Sequence, residues 1–124
     1  MEIEKYDLAV IGSGPAGYVA AIEAAQAGKT VVLFEKENLG GVCLNKGCIP
    51  TKTIIASAEK YRALSHMAEF GINVENYSLD FSKVMERKNS VIEKLRKSLE
   101  TLIKSNGIKI VMQEATKDKK LSEE

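Results

Sequence analysis

The sequence has almost no net charge: 18 lysines and arginines stand against 17 aspartates and glutamates, leaving +1 with the histidine neutral. So even a balance builds no global basic field, which argues against nucleic acid or a membrane surface as partner. Residues 1–80 hold seven basic and ten acidic side chains and residues 81–124 hold eleven and seven, a split that fits solvated surface. Long apolar runs are missing as well. Runs such as Leu8–Ile11 and Val31–Phe34 fall far short of the roughly 20 residues that span a bilayer. The start, Met-Glu-Ile-Glu-Lys-Tyr-Asp, is acidic and unlike a secretory signal. A cytoplasmic protein is expected. Histidine and cysteine are scarce: His66, Cys43 and Cys48 are all there are. A structural zinc site takes four ligands, so no metal centre is expected inside the chain, and His66 reads as a surface or core-edge residue. There is no internal repeat and no Gly/Ser linker, and 124 residues at 44% apolar fit one domain with a core.

What is present begins with a short apolar run, Tyr6 to Ile11, that reads as a buried strand. Gly12-Ser13-Gly14-Pro15-Ala16-Gly17 follows at once. Alanine-rich residues from Tyr18 to Ala27 predict a helix, closed at Gly28 by a left-handed C-cap. Thr30 to Phe34 predicts a second strand ending in Glu35. The whole is a compact βαβ unit. In such a unit the first glycine permits the tight turn, the second lets backbone approach a pyrophosphate, and the third lets helix sit close to strand. The phosphates lie on the helix N-terminus, where unpaired N–H groups and the macrodipole favour negative charge. Glu35, 18 residues after Gly17, is placed to accept hydrogen bonds from a ribose. The unit by itself does not separate FAD from NAD.

Both cysteines fall in Gly40-Gly41-Val42-Cys43-Leu44-Asn45-Lys46-Gly47-Cys48-Ile49-Pro50-Thr51-Lys52. The pair has a metal reading, an inert buried reading and a redox reading. The redox reading fits better, because Pro50 suits the first turn of a following helix. That puts Cys48 near a helix N-terminus, where the dipole favours a thiolate. Apolar positions at Ile54, Ile55, Ala58, Tyr61, Leu64 and Met67 predict a helix over 51–68, stopped by Gly71. Asp80 is the expected N-cap of a second long helix with an apolar stripe at Val84, Val91, Ile92, Leu95, Leu99, Leu102 and Ile103. Asn106-Gly107 ends it, and Ile108 to Met112 predicts a third strand. Two long helices on a short link imply a helical hairpin inserted between strands two and three. Lys117 to Glu124 is polar and expected to fray.

Taken together, the glycine fingerprint, Glu35-Lys36 and the cysteine stretch closely resemble the pyridine nucleotide–disulfide oxidoreductases, over residues 4–115. Leu44, Ile49 and Thr51 look most like the dihydrolipoamide dehydrogenase branch. Glutathione- and mercuric-reductase-like members share the scaffold and are the alternative. The resemblance implies an α/β, Rossmann-like FAD-binding unit with a parallel sheet, incomplete as a domain: residues 1–116 as its N-terminal portion and 117–124 as a tail. It implies that Gly12, Ser13, Gly14, Pro15, Ala16 and Gly17 hold the FAD pyrophosphate and that Glu35 binds the adenosine ribose. Lys36, Gly40, Gly41 and Val42 border the same cofactor, and the backbone at Ala115 meets the adenine. Cys43 is implied as the interchange thiol, Cys48 as the charge-transfer thiol beside the flavin, and Lys52 as the cation near its reactive nitrogen. Val42 stands where threonine is common and Gln113 where glycine is frequent. Also implied are electron transfer from dihydrolipoamide to NAD, a homodimer, and lipoyl domains of 2-oxoacid dehydrogenase or glycine cleavage complexes as partners. No second glycine fingerprint follows for NAD, and no second histidine for acid/base work. The chain is therefore expected to be the opening part of such an enzyme, or a fragment without activity of its own.

Overall fold

A computed structural model describes residues 3–116. Its elements are β1 (Leu8–Ile11), α1 (Pro15–Gln26), β2 (Val31–Phe34), α2 (Gly41–Lys46), α3 (Cys48–Leu64), a 3-10 turn over Met67–Phe70, α4 (Phe81–Ser105) and β3 (Lys109–Val111). They fall into two compact units. One runs to Gly41 and resumes at Arg96, and the other is Val42–Leu95. The expected polar tail, 117–124, lies outside the described residues.

In the first unit three parallel strands pair in the order β1-β2-β3, with Leu8 opposite Val31 and Val32 opposite Lys109. Parallel pairing forces a crossover, and α1 supplies the first, packing on β1 and β2. Pro15 occupies the first turn of α1, where its missing N–H costs nothing, so the helix starts three residues before Tyr18. It ends in a Schellman motif: Gly28, at φ +83°, donates to the Ala25 carbonyl and Lys29 to that of Ala24, as a left-handed cap requires. The core gathers on β2. Val31, Val32 and Leu33 are buried together with Ala21, Leu39, Leu99, Ile103 and Ile108.

β1 departs from the sequence reading. Leu8 is 36% and Ile11 66% exposed; among the described residues β1 pairs with β2 alone. An apolar run does not tell a strand with one neighbour from a strand with two.

In the second unit α3 begins at Cys48 rather than Thr51 and stops at Leu64. Gly71, at φ +73°, terminates the 3-10 turn that follows. The link between α3 and α4 is thus not short but runs over residues 65–80, and the Tyr61 and Tyr77 rings meet edge-on at 5.5 Å. Asp80 caps α4 as expected, its Oδ1 accepting from the Lys83 N–H at 3.2 Å. The stripes are narrower than read. Ile55 and Tyr61 on α3, and Leu95 and Leu102 on α4, are 40–48% exposed. The buried position on α3 is Thr53, admitted because its hydroxyl donates to the Ile49 carbonyl at 2.7 Å and so leaves no unsatisfied donor. No helix among the described residues is long and apolar enough to cross a membrane.

Candidate functional site

The turn after β1 is built for close backbone approach. Gly12, at φ +95°, takes a conformation that side chains resist. A Cβ at Gly17 would stand 1.9 Å from the Gly12 carbonyl oxygen, so only glycine lets α1 rest on the end of β1. Gly14 differs. Nothing lies within 4 Å of where its Cβ would be, which leaves the mouth of the turn open in front of the first turn of α1. There the leading N–H groups have no intrahelical partner. An open, amide-lined cradle of this kind fits a pyrophosphate. Gly41 closes the far side, where a Cβ would come 2.7 Å from Gly14 Cα. Pro15 and Ala16 form the first turn of α1.

Glu35 is buried, at 9% exposure. The Ser13 N–H donates to its Oε2 at 3.0 Å, the Ser13 hydroxyl donates to the same oxygen, and the Glu37 N–H donates to Oε1 at 2.8 Å. Burial pushes the carboxyl pKa up, but the Ser13 hydroxyl and the amides of Glu37, Ser13 and Lys36 outweigh it and hold Glu35 below its ordinary value. An ionised acid is therefore fixed where the ribose acid was expected. The Ser13 hydroxyl also accepts from the Gly40 N–H at 3.3 Å, beside a 3.0 Å bond from that N–H to the Ser13 carbonyl.

Between the ends of β2 and β3 opens a cavity of about 220 Å³ lined by Gly12, Phe34, Glu35, Lys36, Gln113 and Ala115. Lys36 Nζ stands 3.9 Å from Glu114 Oε1 beside it. The structure thus brings Glu35, Lys36 and Ala115 to one cavity in the first unit. Phe34 and Glu114 were not among the site residues read from the sequence. Phe34 reads as core, and its only signal is its place directly before Glu35.

The second unit holds the thiols. Gly47 separates α2, which carries Cys43, from α3, which opens with Cys48. Both cysteines are free, Cys43 half-buried and Cys48 exposed. Cys43 is pushed above its ordinary value, first by a thiol–thiol hydrogen bond with Cys48, then by burial and by the charge Cys48 can carry. The Cys48 N–H and the Lys52 ammonium pull the other way. A thiol held in this way keeps its proton to higher pH. Cys43, Cys48 and Lys52 are therefore close enough to act on one another. Val42, at 71% exposure, points to solvent. His66 directly precedes the 3-10 turn, its Nδ1 3.3 Å from Glu69 Oε1.

The sequence pattern of the pyridine nucleotide-disulphide oxidoreductases matches residues 6–124. The chain belongs to that family. Its similarity to curated family members is close. It is 53% identical over 106 residues to the dihydrolipoyl dehydrogenase of Geobacillus stearothermophilus, covering 86% of this chain. Against the enzymes of the same name from Staphylococcus aureus and Chlamydia trachomatis it is 50% and 49% identical, over 88% and 86% of the chain. In each case it spans 23% of the relative's length. Among solved structures it superposes on the HOCl-induced flavoprotein disulfide reductase RclA from Escherichia coli, in its Cu(II) complex. The TM-score is 0.71 and the identity 30%, covering 88% of this chain and 22% of that one. The family is one of oxidoreductases, and the parallel sheet with its glycine turn belongs to that fold.

Proposed function

We propose that this chain supplies the FAD pyrophosphate cradle and the redox-active dithiol of a dihydrolipoyl dehydrogenase. In the whole enzyme these would oxidise protein-bound dihydrolipoamide and deliver its electrons to NAD. The observation that carries the reading is the pairing of the Cys43 and Cys48 thiols, with Cys48 as the first residue of α3 and Lys52 one turn on. The open cradle at Gly14 and the ionised Glu35 support the cofactor half. Relatives of about 50% identity that carry this name support lipoamide over glutathione or mercury as substrate class.

In the disulfide state, one thiolate of the substrate attacks Cys43 Sγ. The Cys43–Cys48 bond breaks and Cys48 leaves as a thiolate. The second substrate thiolate then attacks the substrate sulfur of the mixed disulfide, Cys43 leaves, and the cyclic disulfide product departs. Two electrons have moved to the cysteine pair; of the two protons the substrate dithiol gives up, one comes to rest on Cys43, whose pKa is raised, and the other passes to solvent. Cys48 sits where the helix N-terminus favours negative charge, and Lys52 adds a positive charge close by. A bound flavin would take the two electrons from the pair and pass them to NAD. Ala16 and Gly17, in the first turn of α1, would meet the pyrophosphate, Glu35 a ribose hydroxyl, and the backbone at Ala115 the adenine. Partners of the whole protein, in this reading, are lipoyl domains of 2-oxoacid dehydrogenase or glycine cleavage complexes and a second copy of the enzyme.

The visible absorption spectrum of the protein with FAD, before and after reduction by a dithiol, tests the assignment. A bound-flavin spectrum that gains a long-wavelength thiolate-to-flavin band is expected. The band should persist in Cys43→Ala and vanish in Cys48→Ala. A flavin spectrum without the band, or the opposite pattern in the two variants, would refute the roles given to the cysteines.

A further inference from the structure

The glycine fingerprint explains three positions of the turn but not the residue between the first two. Ser13 is 0% exposed, and a buried hydroxyl is retained only where it is hydrogen-bonded. Here it is bonded on both sides: it donates to Glu35 Oε2 and accepts from the Gly40 N–H. Its own amide donates to the same Oε2. Three segments of the first unit therefore meet on this one residue: the turn after β1, the end of β2, and the turn before α2.

We infer that Ser13 is the positioning residue of the nucleotide site, clamping Glu35 through Oε2 so that Oε1 is the oxygen left to accept a ribose hydroxyl. A carboxylate offers about four acceptor sites. Two donors from Ser13 occupy Oε2, while Oε1 accepts from Glu37 and the Lys36 amide adds to the hold on the carboxylate. Removing the hydroxyl leaves burial in place while taking away the largest influence that keeps the acid ionised. In Ser13→Ala the Glu35 carboxyl should therefore titrate at higher pH than in the wild type, and its side chain should lose a fixed orientation. The inference rests on the reading of Glu35 as the ribose acid, and its test separates the two.

The experiment is carbon NMR of glutamate-labelled full chain, wild type and Ser13→Ala, titrated with acid and then with ADP as the probe. Expected are a Glu35 midpoint below the ordinary glutamate value in the wild type, a higher one in Ser13→Ala, and ADP affinity about fivefold lower in the variant, in the range of the net worth of one ordinary hydrogen bond. An unchanged midpoint overturns the clamp. A raised midpoint with a Glu35 signal that ADP never perturbs supports the clamp and overturns the ribose role. Should Ser13→Ala fail to fold, the wild type alone decides. A Ser13 hydroxyl proton protected from exchange supports the clamp, and one exchanging at the solvent rate overturns it.

Discussion

Replacing Gly17 with alanine places a methyl 1.9 Å from the Gly12 carbonyl oxygen, 3.0 Å from its carbon and 3.4 Å from Val10 Cγ1. Unstrained carbon–oxygen contact begins near about 3.3 Å, so α1 would have to retreat from β1 by roughly 1.4 Å at that point. The atoms in the way are backbone on both sides, and neither can rotate aside as a flexible side chain would. Ala21, one turn further on and 0% exposed, would be drawn off its packing by the same retreat, and a gap of about 1 Å already forfeits up to half of a contact's attraction. Overpacking of this kind costs about 3 kcal/mol at the upper end of its usual range. The better helix propensity of alanine returns about 1 kcal/mol, so the net loss is about 2 kcal/mol. Urea unfolding with an unchanged slope and a lower midpoint measures it. The control is Gly14→Ala. With nothing within 4 Å of its Cβ, it should cost only about 1 kcal/mol, the gap between glycine and alanine at an N-cap. It should also weaken ADP binding about tenfold, or about 1.4 kcal/mol, by filling the cradle. A Gly17→Ala protein within about 0.5 kcal/mol of wild type, the range of an ordinary surface change, would refute the close-approach argument.

Two further outcomes follow from the second unit. Cys48→Ala removes the thiol hydrogen bond and the charge that push Cys43 up, and leaves the Lys52 ammonium that pulls it down. Alkylation of Cys43 should then shift to lower pH, as read by mass spectrometry across a pH series, and a midpoint that stays or rises would contradict the pairing. Asp80→Ala should cost about 1 kcal/mol through loss of the cap on α4, with Asp80→Asn close to wild type in the same unfolding assay. Equal losses in both would mean that the bond to Lys83 is not what stabilises the helix start.

The βαβ unit was legible because each of its parts carries a local signal: apolar runs, three glycines at fixed spacing, a proline at a helix start and an acid after the second strand. β1 misled for a reason that is not local. Its exposure depends on how many strands pair with it, and among the described residues only β2 does. The short helix α2 was missed because six residues opened by a glycine show no period, and its place is set by the turn at Gly40 and Gly41. The stripe on α3 was read from side-chain type, so Thr53 did not count as core. Its burial depends on a backbone acceptor one turn earlier, which hydropathy does not record. Ser13 was legible as a member of the phosphate turn but not as the partner of Glu35, since 22 residues separate them.

The spacing of the cysteines acquires a physical meaning only in three dimensions. Four residues lie between Cys43 and Cys48, and on one uninterrupted helix five positions amount to about 1.4 turns, which would turn the two thiols well away from each other. The chain avoids this by stopping α2 at Lys46 and starting α3 at Cys48. Gly47, at φ −126° and ψ −105°, makes the break, with a Cβ position only 3.1 Å from the Val42 carbonyl oxygen. A side chain there would press the start of α3 away from α2 and part the sulfurs. The glycine and proline that flank Cys48 thus serve one end: Gly47 allows the second helix to begin afresh, and Pro50 suits its first turn. The same break gives Cys48 the amide that donates to the Cys43 sulfur, so a single interruption of the helix sets both the meeting of the thiols and the difference between them.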